Sequence, residues 1–304
     1  MLLSLATRST TRVLVALAVL AVGACGPLGS ASPSTTGAPI PVLGAENFYA
    51  DLLAQIGGSR VTVSSILSDP SADPHQYEAS PAAAKLVADA KLVIVNGIGY
   101  DDFMQKLLGA STKPDRIVIN VQDVLGVKDD VNVHVWYDPS TMPQVADAAA
   151  EALARLDPQN ASYFADQKAK YLAALKPVND RIASLRSKYS GSPIAFTENV
   201  AGYLTDAIGL KVLTPVSFME AIESGTDPAP ADVAAERDLI TGHKVKALLY
   251  NSQVTSPLTE QIRALAVTSN VPVVPVAETI PPSLGTFQEW QLAELDDLEK
   301  ALAK

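Results

Sequence analysis

The stretch Asp157 to Tyr189, DPQNASYFADQKAKYLAALKPVNDRIASLRSKY, decides how the rest of the chain is read. Its apolar residues Phe164, Tyr171, Leu175, Val178, Ile182 and Leu185 recur every three, four or seven positions, the spacing that lays one stripe along a helix. Asp157-Pro158 opens the run and Gly191-Ser192-Pro193 closes it. The segment predicts a helix of about thirty residues, roughly 45 Å long at 1.5 Å per residue, kinked at Pro177. That exceeds the needs of one small domain, so a helix here joins two.

Both sides of this segment alternate strand-length apolar runs with helical patterns. Before it come Pro41 to Ala45, a helix from about Asn47 to Gln55, Val61 to Leu67, a helix opened by Ser80-Pro81, Leu92 to Val95, a helix near Asp101 to Leu108, and Ile117 to Val121. After it come Ile194 to Thr197, a helix from about Asn199 to Ile208, Val212 to Leu213, a helix near Ala231 to Ile240, and Val245 to Tyr250. A helix from Pro257 to Val267, the strand Pro272 to Val276 and a helix from Thr286 to Ala303 complete the series. Such alternation predicts the α/β class: two lobes, each a mainly parallel sheet flanked by helices. The expected division is a lobe over 40–157, the rigid connecting helix over 158–190 and a second lobe over 191–304. Ligands of such folds bind beyond the carboxyl ends of the strands, in the cleft between lobes.

The chain has 304 residues, 48% of them hydrophobic and 18% charged, so it buries a core and is no disordered polymer. With 33 acidic against 23 basic residues it carries a formal charge of −10. No basic face is available for phosphates, which excludes nucleic acid as an expected partner. Residues 1–24 read as an export signal: Arg8 and Arg12 precede the apolar run Val13 to Val22, too short to cross a bilayer of about 30 Å. Val22-Gly23-Ala24-Cys25 resembles the bacterial lipobox, which implies cleavage before Cys25, its lipidation, and anchoring to the outer face of a membrane. Cys25 is the only cysteine, so neither a disulfide nor a thiolate cluster competes for it. Residues 26–39, composed of Gly, Pro, Ser, Thr and Ala apart from one Leu, read as a flexible leash.

Three histidines and two acids draw attention. His75 follows the strand Val61 to Leu67, and His134 precedes a helix that Asp138 or Ser140 can cap. Glu198 and Glu278 each follow a strand of the second series, which places them at matching edges of neighbouring strands. Singly, each reads as well as an exposed loop side chain or a helix cap. His243, at a polar helix end, reads as surface. Together the other four offer two imidazoles and two carboxylates, two from each lobe.

The lipobox, Glu46-Asn47-Phe48-Tyr49, Asp73-Pro74-His75, His134-Val135-Trp136 with Asp138-Pro139, the long helix and Tyr203 to Leu213, taken in order, resemble the zinc- and manganese-binding lipoproteins of bacterial ABC importers. The resemblance covers nearly the whole mature chain. It implies two α/β lobes around a backbone helix and one divalent metal ion held at their interface. The metal ligands fall on His75, His134 and Glu198, where zinc-type relatives often have His and manganese-type relatives Glu. The fourth falls on Glu278, where the family usually has aspartate. The resemblance further implies a monomer that hands its metal to a permease and ATPase.

Imidazole with carboxylate suits Zn²⁺ or Mn²⁺, and the absence of thiolate disfavours Cu(I). Glu198, and the lack of the His-rich loop found in several zinc specialists, incline the site type towards manganese. Binding needs neutral imidazoles, so it is expected to weaken below a pH of roughly 6. The rival readings are a metal-chelate binder for a siderophore or haem on the same architecture, a metallohydrolase, and an adhesin. The chain has no HExxH, GxSxG or GxxxxGK[ST] motif.

Overall fold

Parallel pairing alone builds both sheets of the computed structural model, which describes residues 37–70, 74–128 and 130–304. The first half runs β1 (Ile40–Glu46), α1 (Asn47–Gly57), β2 (Val61–Leu67), α2 (Pro81–Asp89), β3 (Leu92–Val95), α3 (Phe103–Ala110), β4 (Ile117–Asn120) and α4 (Val121–Leu125). Next come α5 (Thr141–Leu156), α6 (Ala161–Ala174) and α7 (Lys176–Tyr189). The second half is β5 (Pro193–Phe196), α8 (Gly202–Ile208), β6 (Lys211–Val212), α9 (Val216–Glu223), α10 (Pro230–Thr241), β7 (Leu248–Asn251), α11 (Pro257–Thr268), β8 (Val273–Val276) and α12 (Phe287–Leu302). The sheets have the orders β2-β1-β3-β4 and β6-β5-β7-β8. Each therefore reverses its winding next to its first strand, opening a crevice at the carboxyl edge.

Several helices begin where the chain supplies a side-chain cap. Ser80 Oγ accepts a hydrogen bond from Ala83 N ahead of Pro81, Thr286 Oγ1 accepts from Glu289 N, and Ser256 and Thr259 form a reciprocal capping box before α11. Asp138 Oδ1 accepts from Ser140 N at the approach to α5. The short helices α4 and α9 were not expected. The first is one and a half turns, too brief for a periodic signal.

The connecting segment differs from the expected single kinked helix. It consists of α6 and α7, which meet at Leu175, two residues before Pro177. Proline has no N–H to donate to the Ala173 carbonyl, so the ladder is interrupted at this turn. Leu175 N instead bonds both Tyr171 O and Leu172 O, at 3.2 and 3.3 Å. The apolar stripe is nevertheless where the spacing put it: Phe164, Tyr171, Leu175, Val178, Ile182 and Leu185 are all buried.

One hydrophobic core runs through both sheets and their helices. At its middle Phe48 of α1 lies 4.6 Å from Trp136 and 6.0 Å from Trp290 of α12, ring to ring, and Tyr137 lies 5.6 Å from Trp290. Polar ties flank this cluster. Asn47 exchanges two hydrogen bonds with the backbone of Ile280, Asp51 Oδ2 accepts from Phe287 N, and Gln55 pairs with Gln288. The halves are thus fastened together on the α1–α12 side, leaving the carboxyl edges of the sheets to meet as a narrow site. The export signal, Cys25 and the leash as far as residue 36 lie outside the described residues, as does Asp73.

Candidate metal centre

Each of the four predicted side chains leaves an element at the cleft. His75 sits on a short 3-10 turn, Pro74–Gln76, that follows β2. His134 caps another, Val135–Tyr137, with its ring 5.2 Å from that of the buried Trp136. Glu198 stands two residues past β5, and Glu278 two past β8. The two acids are not on neighbouring strands, as the sequence had suggested, because β7 lies between β5 and β8. Even so, one donor atom from each of the four residues falls within 4.8 Å of all the others. His243 is exposed at the end of α10, with φ of 50°, and takes no part.

The inward atoms are well defined. His75 Nε2 is 3.3 Å from Glu198 Oε1 and 3.4 Å from Glu278 Oε2. His134 Nε2 is 3.8 and 3.3 Å from the same two oxygens. His134, Glu198 and Glu278 are wholly buried, and His75 retains 17% of its side-chain exposure. Buried polar atoms normally find hydrogen-bond partners. His134 Nε2 and Glu198 Oε1 make none, and face the common point instead.

The outward atoms are fastened. Asn132 Nδ2 donates to the Asn199 carbonyl at 2.7 Å, which leaves Asn132 Oδ1 as an acceptor 2.8 Å from His134 Nδ1. In the neutral ring that a metal ion requires, this acceptor favours the proton on Nδ1 and leaves the Nε2 lone pair for the ion. The same asparagine ties His134 to the residue following Glu198. Tyr100 donates its hydroxyl proton to Glu278 Oε2 at 2.9 Å. It is presented by the loop Asn96–Tyr100, where Gly97, Ile98 and Gly99 all have positive φ and the Asp101 carboxylate accepts from Asn96 N and Gly97 N. A β-branched residue at positive φ is a strained backbone, held in place by this network. Gln253 Oε1 accepts from the backbone N–H groups of Glu278 and Thr279, orienting the last carboxylate.

Without a metal ion, protons play the cation. Burial pulls the His75 pKa down, but hydrogen bonding and charge attraction from Glu198 and Glu278 outweigh it and lift the value to about 11. Burial also opposes ionisation of both acids. At Glu278 the two imidazoles overcome it and hold the carboxyl well below its ordinary range. At Glu198 burial prevails, with the Glu278 charge adding to it, and the pKa is raised. Two carboxylates this close divide in that way because both cannot ionise cheaply. The result is a compact nest of two nitrogen and two oxygen donors whose electrostatics call for positive charge.

Sequence reasoning found all four residues of this nest but not Asn132, Tyr100, Asn251 or Gln253 around it. Asn251 follows the apolar run Leu248-Leu249-Tyr250 at a strand's carboxyl end, the same signal that singled out Glu198 and Glu278.

Comparisons with known proteins agree with this architecture. The profile of the family described as zinc-uptake complex component A, periplasmic, matches residues 42–301. The manganese-binding lipoprotein MntA of Halalkalibacterium halodurans is 23% identical over 249 residues, covering 80% of each chain. The high-affinity zinc uptake system protein ZnuA of Haemophilus ducreyi is 20% identical over 277 residues, covering 80% of this chain and 87% of that one. Among solved structures, the periplasmic zinc-binding protein TroA of Treponema pallidum superposes with a TM-score of 0.73 at 18% identity, over 88% of this chain and all of the other. FpvC of Pseudomonas aeruginosa, solved in complex with Mn²⁺, gives 0.72 at 21%, over 87% and 98%. These structural likenesses establish the fold, two parallel α/β lobes, and the profile match over 260 of 304 residues establishes descent. The chain belongs to the periplasmic zinc-uptake component A family of metal transport proteins.

Proposed function

We propose that this protein captures one divalent transition-metal ion, zinc or manganese, between its lobes and delivers it to an ABC importer's permease and ATPase. The observation that carries the reading is the convergence of His75 Nε2, His134 Nε2, Glu198 Oε1 and Glu278 Oε2, all within 4.8 Å of one another. Imidazole nitrogens and carboxylate oxygens at that separation suit a first-row divalent ion. Filling the nest replaces a bound proton with a doubly charged cation and cross-links the halves that supply the donors. The reading also places the mature chain on the outer face of the membrane, cleaved before Cys25 and lipidated there, as a monomer and not an enzyme.

A siderophore or haem cargo is less well served. The groove beside the nest, about 510 Å³, is lined by Asp130, Glu220 and Glu223 together with Asn132, Asn199 and Met219. Among the described residues, no aromatic or basic side chain lines it to grip a chelate.

Purified protein stripped of metal and titrated with Zn²⁺ or Mn²⁺ is expected to bind one equivalent. His75→Ala and His134→Ala should each weaken binding by at least about 100-fold while circular dichroism shows the fold retained, since each removes a ligand. Unchanged affinity in either folded variant would contradict the assignment.

A further inference from the structure

The carboxylates of Glu198 and Glu278 each turn one oxygen to the centre and one away, and both outward oxygens meet the same group. Asn251 Nδ2 lies 2.7 Å from Glu198 Oε2 and 2.7 Å from Glu278 Oε1. Its orientation is fixed from the other side, because Asn251 Oδ1 accepts from Gln253 N at 2.9 Å. A flipped amide would set an oxygen against two carboxylates, so the two N–H bonds of Nδ2 are spent one on each acid. Topology makes this fork available: Asn251 ends β7, the strand between those that carry Glu198 and Glu278. The amide is buried, and its backbone N–H is anchored on Thr197 Oγ1 at 3.0 Å.

We propose that Asn251 is the residue that sets metal selectivity, by confining each glutamate to one coordinating oxygen and so fixing a four-coordinate, zinc-favouring site. The inference rests on the metal-binding reading above and deepens it. A tetrahedron of N and O ligands around zinc at about 2.0–2.1 Å has edges of about 3.3–3.4 Å. Three of the four nitrogen–oxygen separations in the nest are 3.3, 3.4 and 3.3 Å, and the fourth is 3.8 Å. An ion that prefers six oxygen-rich ligands, as Mn²⁺ does, needs two more donors. The second oxygens of the same carboxylates, Glu198 Oε2 and Glu278 Oε1, reach a central ion only if both groups rotate, and Asn251 holds the two in their present orientation. The fork therefore weighs against manganese without touching the metal. It reverses the inclination that a glutamate in the third position suggests.

The test uses the full mature chain and four proteins: wild type, Asn251→Ala, Asn251→Asp and Asn251→Ser. Dissociation constants for Zn²⁺ and Mn²⁺ are measured by competition with a chromophoric chelator, and Co²⁺ is added as a spectroscopic probe. Wild type is expected to give the intense visible bands of tetrahedral Co²⁺. In the variants, the zinc-over-manganese ratio should fall by about 10- to 100-fold, the range usual for outer-shell partners, and the cobalt bands should weaken towards those of a higher-coordinate ion. A merely structural role would lower both affinities together and leave the ratio and the bands in place. A ratio within twofold of wild type in folded variants overturns the proposal. So does a weak, six-coordinate cobalt spectrum of the wild type itself, which needs no variant to fold. Absence of binding by the wild type overturns the metal-binding reading as well, and is thus distinguishable from failure of the fork alone.

Discussion

At the scale of single residues, His75 is expected, on the proposed metal-binding reading, to lose a proton when an ion enters the nest. Its pKa, lifted to about 11 by the two carboxylates, means that the metal-free nest keeps a proton at neutral pH. A folded-state pKa above the ordinary His value near 6.5 stabilises the metal-free protein fully below about pH 6.5. That contribution is lost as the pH rises towards the folded value. A metal ion, which needs the neutral ring, must expel this proton. Affinity should therefore climb by about tenfold per pH unit well above pH 7, instead of levelling off just above 6 as an unperturbed histidine implies. Calorimetric titration with Zn²⁺ at pH 7.5 in buffers of different ionisation enthalpy is expected to show about one proton released per ion. Release of none would mean that the carboxylates do not hold the imidazolium. The four donors were legible in the sequence because their types are chemically telling and each follows or precedes an element at the cleft. Their supports were not legible: Asn132, Tyr100 and Asn251 are ordinary polar residues whose placement depends on partners 67, 178 and 27 positions away.

At the scale of elements, three capped helices start where the sequence put them, and α1 starts at the expected Asn47 without a side-chain cap. Ser80-Pro81, Ser256-Pro257 and Thr286 each begin a helix within one residue of the expected start. The start of α8 slipped: it was expected from Asn199 but lies at Gly202, because the chain first turns to present Glu198. Over 158–190 periodicity predicted the buried stripe but not the break at Leu175, since a stripe is indifferent to one lost hydrogen bond in the ladder. The caps themselves are testable. Ser256→Ala removes one side of the α11 capping box, whose bonds are 2.8 and 3.1 Å, and is expected to cost about 1 kcal/mol in urea unfolding with no change in metal affinity. A loss below about 0.3 kcal/mol would show the box to be dispensable.

At the scale of the whole molecule, the shared aromatic core and the ties from α1 to α12 oppose a wide hinge opening. On the proposed reading, ion entry and release are expected on the side where His75 keeps its 17% exposure. On that reading the halves are already joined, and the ion completes the contact at the carboxyl edges of both sheets. The central claim is that four side chains from distant parts of the chain coordinate one ion. A crystal of the zinc-loaded protein measured across the zinc absorption edge tests this most directly. A single anomalous peak within about 2.2 Å of His75 Nε2, His134 Nε2, Glu198 Oε1 and Glu278 Oε2 is the predicted result. A peak elsewhere, or one bound by fewer than three of these atoms, would contradict it.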